Sequence, residues 1–150
     1  MIEREFIPYD RALALKELGF DEPCLNKFYT KPNSKMFGVD EKGRHYPIKN
    51  IAKKLYTIGE HFVLKDDNVI IAPLYQQAFR WFREKHNILA NVYANASGFL
   101  YQWEDAVGGT HRGWSDFEGP NDSGVWDTYE EAELACIDKL IELIKEAKEL

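Results

Sequence analysis

The chain has 150 residues, of which 45% are hydrophobic and 29% charged, with a net charge of −6 at pH 7. That length suits one domain able to bury its own core without a metal or disulfide staple. The acidic balance makes nucleic acid an unfavoured partner, because phosphate contacts supply most of that affinity. Cys24 and Cys136 show no CxxC or Cys/His metal spacing, so both are read as buried, reduced thiols. The amino end lacks the apolar run of a secretory signal, and no stretch approaches the ~20 apolar residues of a membrane span. A soluble, cytoplasmic protein is expected.

In chain order, Pro8, Tyr9 and Asp10 open a helix that Gly19 closes, with Ala12, Leu13, Leu15 and Leu18 as its apolar stripe. Residues 24–30 read as a strand. Residues 31–50 are rich in Lys, Gly and Pro and suggest a ragged hairpin around Asp40 to Gly43, and 31–68 as a whole reads as an irregular insertion. Residues 51–58 fit a short helix or a strand equally. Val69, Ile70 and Ile71 form a short buried strand. Pro73 pre-sets a second helix, in which Tyr75, Ala78, Phe79, Phe82 and His86 recur at helical spacing.

Residues 88–95 and 99–104 form the strongest hairpin signal, joined by Asn95, Ala96, Ser97 and Gly98. Side chains alternate along a strand, so Phe99, Tyr101 and Trp103 share one face. Residues 106–126 carry five glycines and read as a long loop, with room for a third strand near 113–117. Thr128 and Glu131 have the spacing of a capping box and start the last and clearest helix. The expected architecture is α+β: one domain, 1–150, with an antiparallel sheet, helices packed on one of its faces and a long C-terminal helix.

Three stretches resemble small uncharacterised proteins of bacteriophages and prophages, especially those of gut Bacteroidetes. They are residues 12–24 (ALALKELGFDEPC), 72–86 (APLYQQAFRWFREKH) and 128–144 (TYEEAELACIDKLIELI), together under a third of the chain. The resemblance implies a phage protein acting in an infected bacterial host, and it transfers no activity or catalytic residue. The element order from 73 to 150 also resembles the α-β-β-β-α order of double-stranded RNA-binding domains. That family grips phosphates with lysines at the start of its last helix. Here the place is held by Asp127, Glu130, Glu131 and Glu133, which repel phosphate, so the likeness is topological and RNA binding is not expected.

Catalytic signatures are lacking. His45, His61, His86 and His111 make no metal-ligand spacing, and His45 and His61 read as exposed loop residues. Ser115 and Ser123, with His111 and Asp116 or Asp127 nearby, lack a nucleophile elbow. No phosphate-binding glycine motif is present, and neither a cofactor nor a metal is implied. The richest segment is 106–126, because long loops are uncommon unless functional or disordered. There His111, Arg112 and Trp114, with Tyr101 and Trp103 from the neighbouring strand, are the expected ligand-binding set. Arginine offers a planar fork for phosphate or carboxylate, and tryptophan a stacking face. Arg80, Trp81 and Arg83 form a second basic and aromatic patch, with Trp81 expected to be half-buried.

The leading expectation is a non-enzymatic protein that binds, and sequesters, a small anionic or nucleotide-like ligand such as a bacterial immune signal. The alternative is a module that docks and inhibits a host protein. Catalysis ranks third, and self-association is left open.

Overall fold

The computed structural model describes residues 5–22, 24, 26–29, 37–39, 42, 45–47, 55–57, 69–107 and 110–149. Helix α1 (Tyr9–Glu17) starts after Pro8, whose extended backbone feeds the first turn. It ends as the sequence predicts. Gly19 takes φ +100°, its N–H bonds Lys16 O at 3.0 Å, and the Phe20 N–H bonds Leu15 O at 2.9 Å. This pair of bonds is a Schellman stop, and the left-handed residue it requires favours glycine.

Strands β1 (Asn26–Tyr29), β2 (Phe37–Val39), β3 (His45–Pro47), β4 (Leu55–Thr57) and β5 (Val69–Ala72) follow. β1 lies between β4 and β5, antiparallel to both, and β2 pairs with β3 as the expected hairpin. The undecided stretch at 51–58 thus contains a strand. His45 belongs to β3 rather than to a loop. Most of the expected insertion, and His61 with it, lies outside the described residues.

Helix α2 (Tyr75–His86) buries Tyr75, Ala78, Trp81 and Phe82 and keeps its charged residues on the other side. Asn87 stops it in the left-handed conformation, φ 56°, with its N–H on Phe82 O. β6 (Ile88–Asn95) and β7 (Gly98–Val107) form the hairpin, and β8 (Thr110–Asp116) completes an antiparallel sheet in the order β6-β7-β8. At the turn Asn95 Oδ1 accepts the Ser97 and Gly98 N–H groups at 2.8 and 3.2 Å. A Cβ at Gly98 would lie 2.7 Å from Trp126 O, so glycine is required there for space.

The expected loop at 106–126 is corrected in part: the third strand allowed near 113–117 is present as β8, and it is longer than expected. β7 runs on to Val107, and β8 takes seven residues of the segment. The glycines misled, since Gly113 sits within β8 opposite Glu104. The irregular part begins at Phe117, and it too is pinned. Gly119 N–H bonds Gly124 O at 2.9 Å, and Trp126 exchanges two 2.9 Å backbone bonds with Phe99.

Helix α3 (Tyr129–Glu149) lies against β6 and β7, and α2 packs beside it on β6. The fold is therefore mixed α+β with a long C-terminal helix over the sheet, as expected. Its core joins Ile137, Leu140, Ile141 and Ile144 of α3 to Phe82, Ile88, Tyr101 and Trp103, all at most 9% exposed. α1 is tied to α3 by Arg11, whose Nε and Nη2 donate to the two Asp138 oxygens at 2.9 and 3.0 Å. Both side chains are part-exposed. Such a pair orients the helices and contributes under about 1 kcal/mol. No helix among the described residues is long and apolar enough to cross a membrane.

The Thr128 hydroxyl accepts the Glu131 N–H at 3.1 Å, which is half of the expected capping box. Among the described residues, the reciprocal bond from the Glu131 carboxylate is not made. Thr128→Ala is expected to cost about 1 kcal/mol in chemical denaturation. An unchanged midpoint would mean that the cap contributes nothing to α3.

Candidate functional site

Gln76, Phe79, Arg80 and Arg83 follow one another on α2 at i, i+3, i+4 and i+7, the spacing of a single helix face. That face is not the buried one. It forms one wall of a groove of about 350 Å³, whose other wall is Ala90, Asn91 and Val92 of β6, with Tyr129 of α3 at one end. Arg80 and Arg83 are exposed, and neither makes an ion pair with a described residue. A guanidinium without a carboxylate partner keeps its planar donor fork for a ligand. Phe79 is half-buried, and Tyr129 is 39% exposed with its ring edge-on to Phe99 at 6.2 Å. The groove therefore offers two cations, two ring faces and the Gln76 side-chain amide in a space of small-ligand size.

Two other cavities among the described residues lack this chemistry. One of about 400 Å³ is lined by Ile88, Trp103, Leu143 and Ile144, with His86 and Asp105 at its polar part. Burial, then the Lys148 charge, holds His86 below the ordinary histidine pKa. Its ring stands edge-on to Trp81 at 4.8 Å. A cavity walled mainly by apolar side chains, with Asp105 at its polar part, is no anion site. A smaller cavity of about 190 Å³ sets Glu118, Asp138 and Glu142 around Lys139.

The sequence-predicted residues divide. Arg80 and Arg83 come together in the groove, but Trp81 does not join them. It is 3% exposed and packs edge-on against Phe20 and Phe82 at 5.4 and 5.1 Å. Residues 80 and 81 lie about 100° apart around a helix, so neighbours in sequence part company. Tyr101 and Trp103, expected to line a ligand site, are 2% and 9% exposed in the core beneath α3. They share a face with Phe99 as expected, but it is the covered face. His111, Arg112 and Trp114 lie on β8 opposite Ala106, Asp105 and Trp103. Their side chains are outside the described residues. Gln76, Asn91 and Tyr129 were not singled out in the sequence as site residues, and Phe79 was read only as part of the apolar stripe of α2. Among the described residues no cluster of His, Cys, Asp or Glu could hold a metal.

Cys24 and Cys136 are free thiols and buried. Burial, reinforced by the Glu22 charge, pushes the Cys24 thiol up to about 12. Both are expected to react slowly with a thiol reagent in the folded protein. Labelling as fast as in the unfolded chain would contradict their burial.

Glu133, one turn along α3 from Tyr129, is 6% exposed. Burial first, and then the charges of Glu5 and Glu130, push its carboxyl from 4.5 to about 7. Its charge in turn adds to the burial that raises Tyr75 to about 12. Between pH 4.5 and 7 the folded protein holds a proton that the unfolded chain has released. Stability therefore falls as pH rises through that window and stays lowered above it, by roughly 3 kcal/mol. Glu133→Gln is expected to unfold at higher urea than the wild type at pH 8 and at equal urea near pH 4.5. Equal midpoints at both pH values would show that the carboxyl is not buried as described.

No family model, curated protein or solved structure matches this chain.

Proposed function

We propose that this protein acts by binding rather than catalysis, and that the α2–β6 groove holds an anionic ligand through Arg80 and Arg83. The observation that carries the reading is the pair of exposed arginines, one turn apart and lining a groove with Tyr129 and Phe79. Both guanidiniums are exposed and without carboxylate partners among the described residues, so both are available to a negative group. Each can give a charge-assisted, two-pronged contact to phosphate or carboxylate. Planar groups stack on the rings, and the Gln76 amide can bond a ring edge. A small nucleotide-like molecule satisfies all of these.

No groove residue is a nucleophile beside a base, so the ligand is held and released unchanged. The resemblance of residues 12–24, 72–86 and 128–144 to phage proteins supports a nucleotide signal of host immunity as that ligand, with sequestration as the role. Docking onto a host protein is the second reading. The edge of β6, unpaired among the described residues, favours it.

Calorimetric titration with AMP, ADP-ribose and cyclic dinucleotides tests the first reading. Arg80→Ala and Arg83→Ala should each weaken binding about tenfold or more while leaving the melting temperature nearly unchanged. Chromatography should recover the ligand intact. Wild-type affinity in both variants, with loss in Arg112→Ala, would move the site to β8. A chemically altered ligand would make the protein an enzyme.

A further inference from the structure

The groove has a second property, which lies in its backbone. In an antiparallel pair, two opposite residues either exchange both hydrogen bonds or turn both away from each other. Phe99 of β7 gives its N–H to Trp126 O and accepts the Trp126 N–H, each at 2.9 Å. Both Phe99 groups therefore point away from β6. Phe99 stands opposite Ala94, so Ala94 is a position that turns away from β7. The register runs without a bulge from Ile88↔Asp105 to Asn95↔Gly98. The alternation then gives Ile88, Ala90 and Val92 the same direction. Their N–H and C=O groups face the outer side of β6, which is an edge of the sheet. Among the described residues no strand lies there. Ala90 and Val92 are also groove residues, so a row of donors and acceptors, unused among the described residues, runs beside Arg80 and Arg83.

We infer that the groove accepts an extended, acidic segment of another protein as a fourth strand on the edge of β6. This rests on the reading of Arg80 and Arg83 as an anion site, and adds a chain to the small molecule as a second ligand of the same groove. An added strand sits about 4.8 Å from β6 and bonds the Ala90 and Val92 groups. Its alternate side chains fall on the α2 side of the sheet, where they meet Phe79, Arg80 and Arg83. Acidic residues at those positions complete the arginine forks, and the residues between them face outward. An exposed strand edge is a standing aggregation hazard. The two arginines guard it against cationic and neutral strands and leave it open to acidic ones.

The probe is a capped octapeptide of alternating glutamate and valine, followed by fluorescence anisotropy and by amide hydrogen exchange on the full chain. Binding should slow exchange at Ala90 and Val92 about tenfold or more and leave Asn91, already bonded to β7, unchanged. A peptide N-methylated at every second residue should bind in only one of its two phases, because only one set of N–H groups faces β6. Arg80→Glu should weaken the glutamate peptide about tenfold or more, and a lysine–valine peptide should not bind the wild type.

Several results overturn the inference. The glutamate peptide fails to bind while ADP-ribose binds through Arg80 and Arg83, so that the anion reading stands alone. Neither ligand binds, and both readings fall. The peptide binds without protecting Ala90 and Val92, and strand addition is wrong. The unliganded protein is a dimer in sedimentation with those two amides already protected, and the occupant is a second copy.

Discussion

One face of the β6–β7–β8 sheet carries Ile88, Tyr101 and Trp103, and that face cannot be left in water. Covering it is the constraint from which the rest of the described structure follows. α3 supplies Ile137, Leu140, Ile141 and Ile144, and the contact removes two large aromatic rings and several branched chains from solvent. Burial on this scale is the main favourable term in folding, at roughly 25 cal/mol per Å² of apolar surface. α1 is then held to the outside of α3 by Arg11 and Asp138, and Lys148 reaches the carbonyl of Leu18 at 3.4 Å. α2 fills the space beside α3 with Tyr75, Ala78, Trp81 and Phe82.

That packing decides where a site can exist. α2 is amphipathic, and fixing its apolar side against α3 and β6 leaves Gln76, Arg80 and Arg83 on the side that flanks the β6 edge. The groove is thus a by-product of burying the opposite face. Rigid elements form both walls, which suits a binding surface whose contacts must be in place before the ligand arrives. Glu133 marks the cost of the arrangement. Its carboxyl is enclosed as α3 docks, close to two further acids, and at neutral pH its charge opposes the packing that α3 provides.

Periodicity and end signals made much of this legible. Gly19, Asn87, the Thr128 cap and the Asn95–Gly98 turn each impose a local conformation that tertiary context did not override. Other features were not local. Gly113 weakens a strand pattern in isolation, yet β7 offers it a partner along its full length, and pairing prevailed over propensity. Alternation put Phe99, Tyr101 and Trp103 on one face, but nothing in a period of two says which face a helix will cover. The same limit hid the site. Arg80 and Arg83 were visible by type, whereas Phe79 and Tyr129 resemble core residues until the packing shows them at its margin. For Arg112 and Trp114 the structure fixes the register and so corrects the loop that made them attractive.

The central claim is that ligand recognition resides between α2 and β6. Titrating ADP-ribose into isotopically labelled protein and following the amide and arginine side-chain signals tests it most directly. The account predicts that the shifts concentrate at residues 76–83, at Ala90, Asn91 and Val92, and at Tyr129, with the Arg80 and Arg83 guanidinium signals moving most. Shifts concentrated on residues 110–116, with α2 silent, would contradict it.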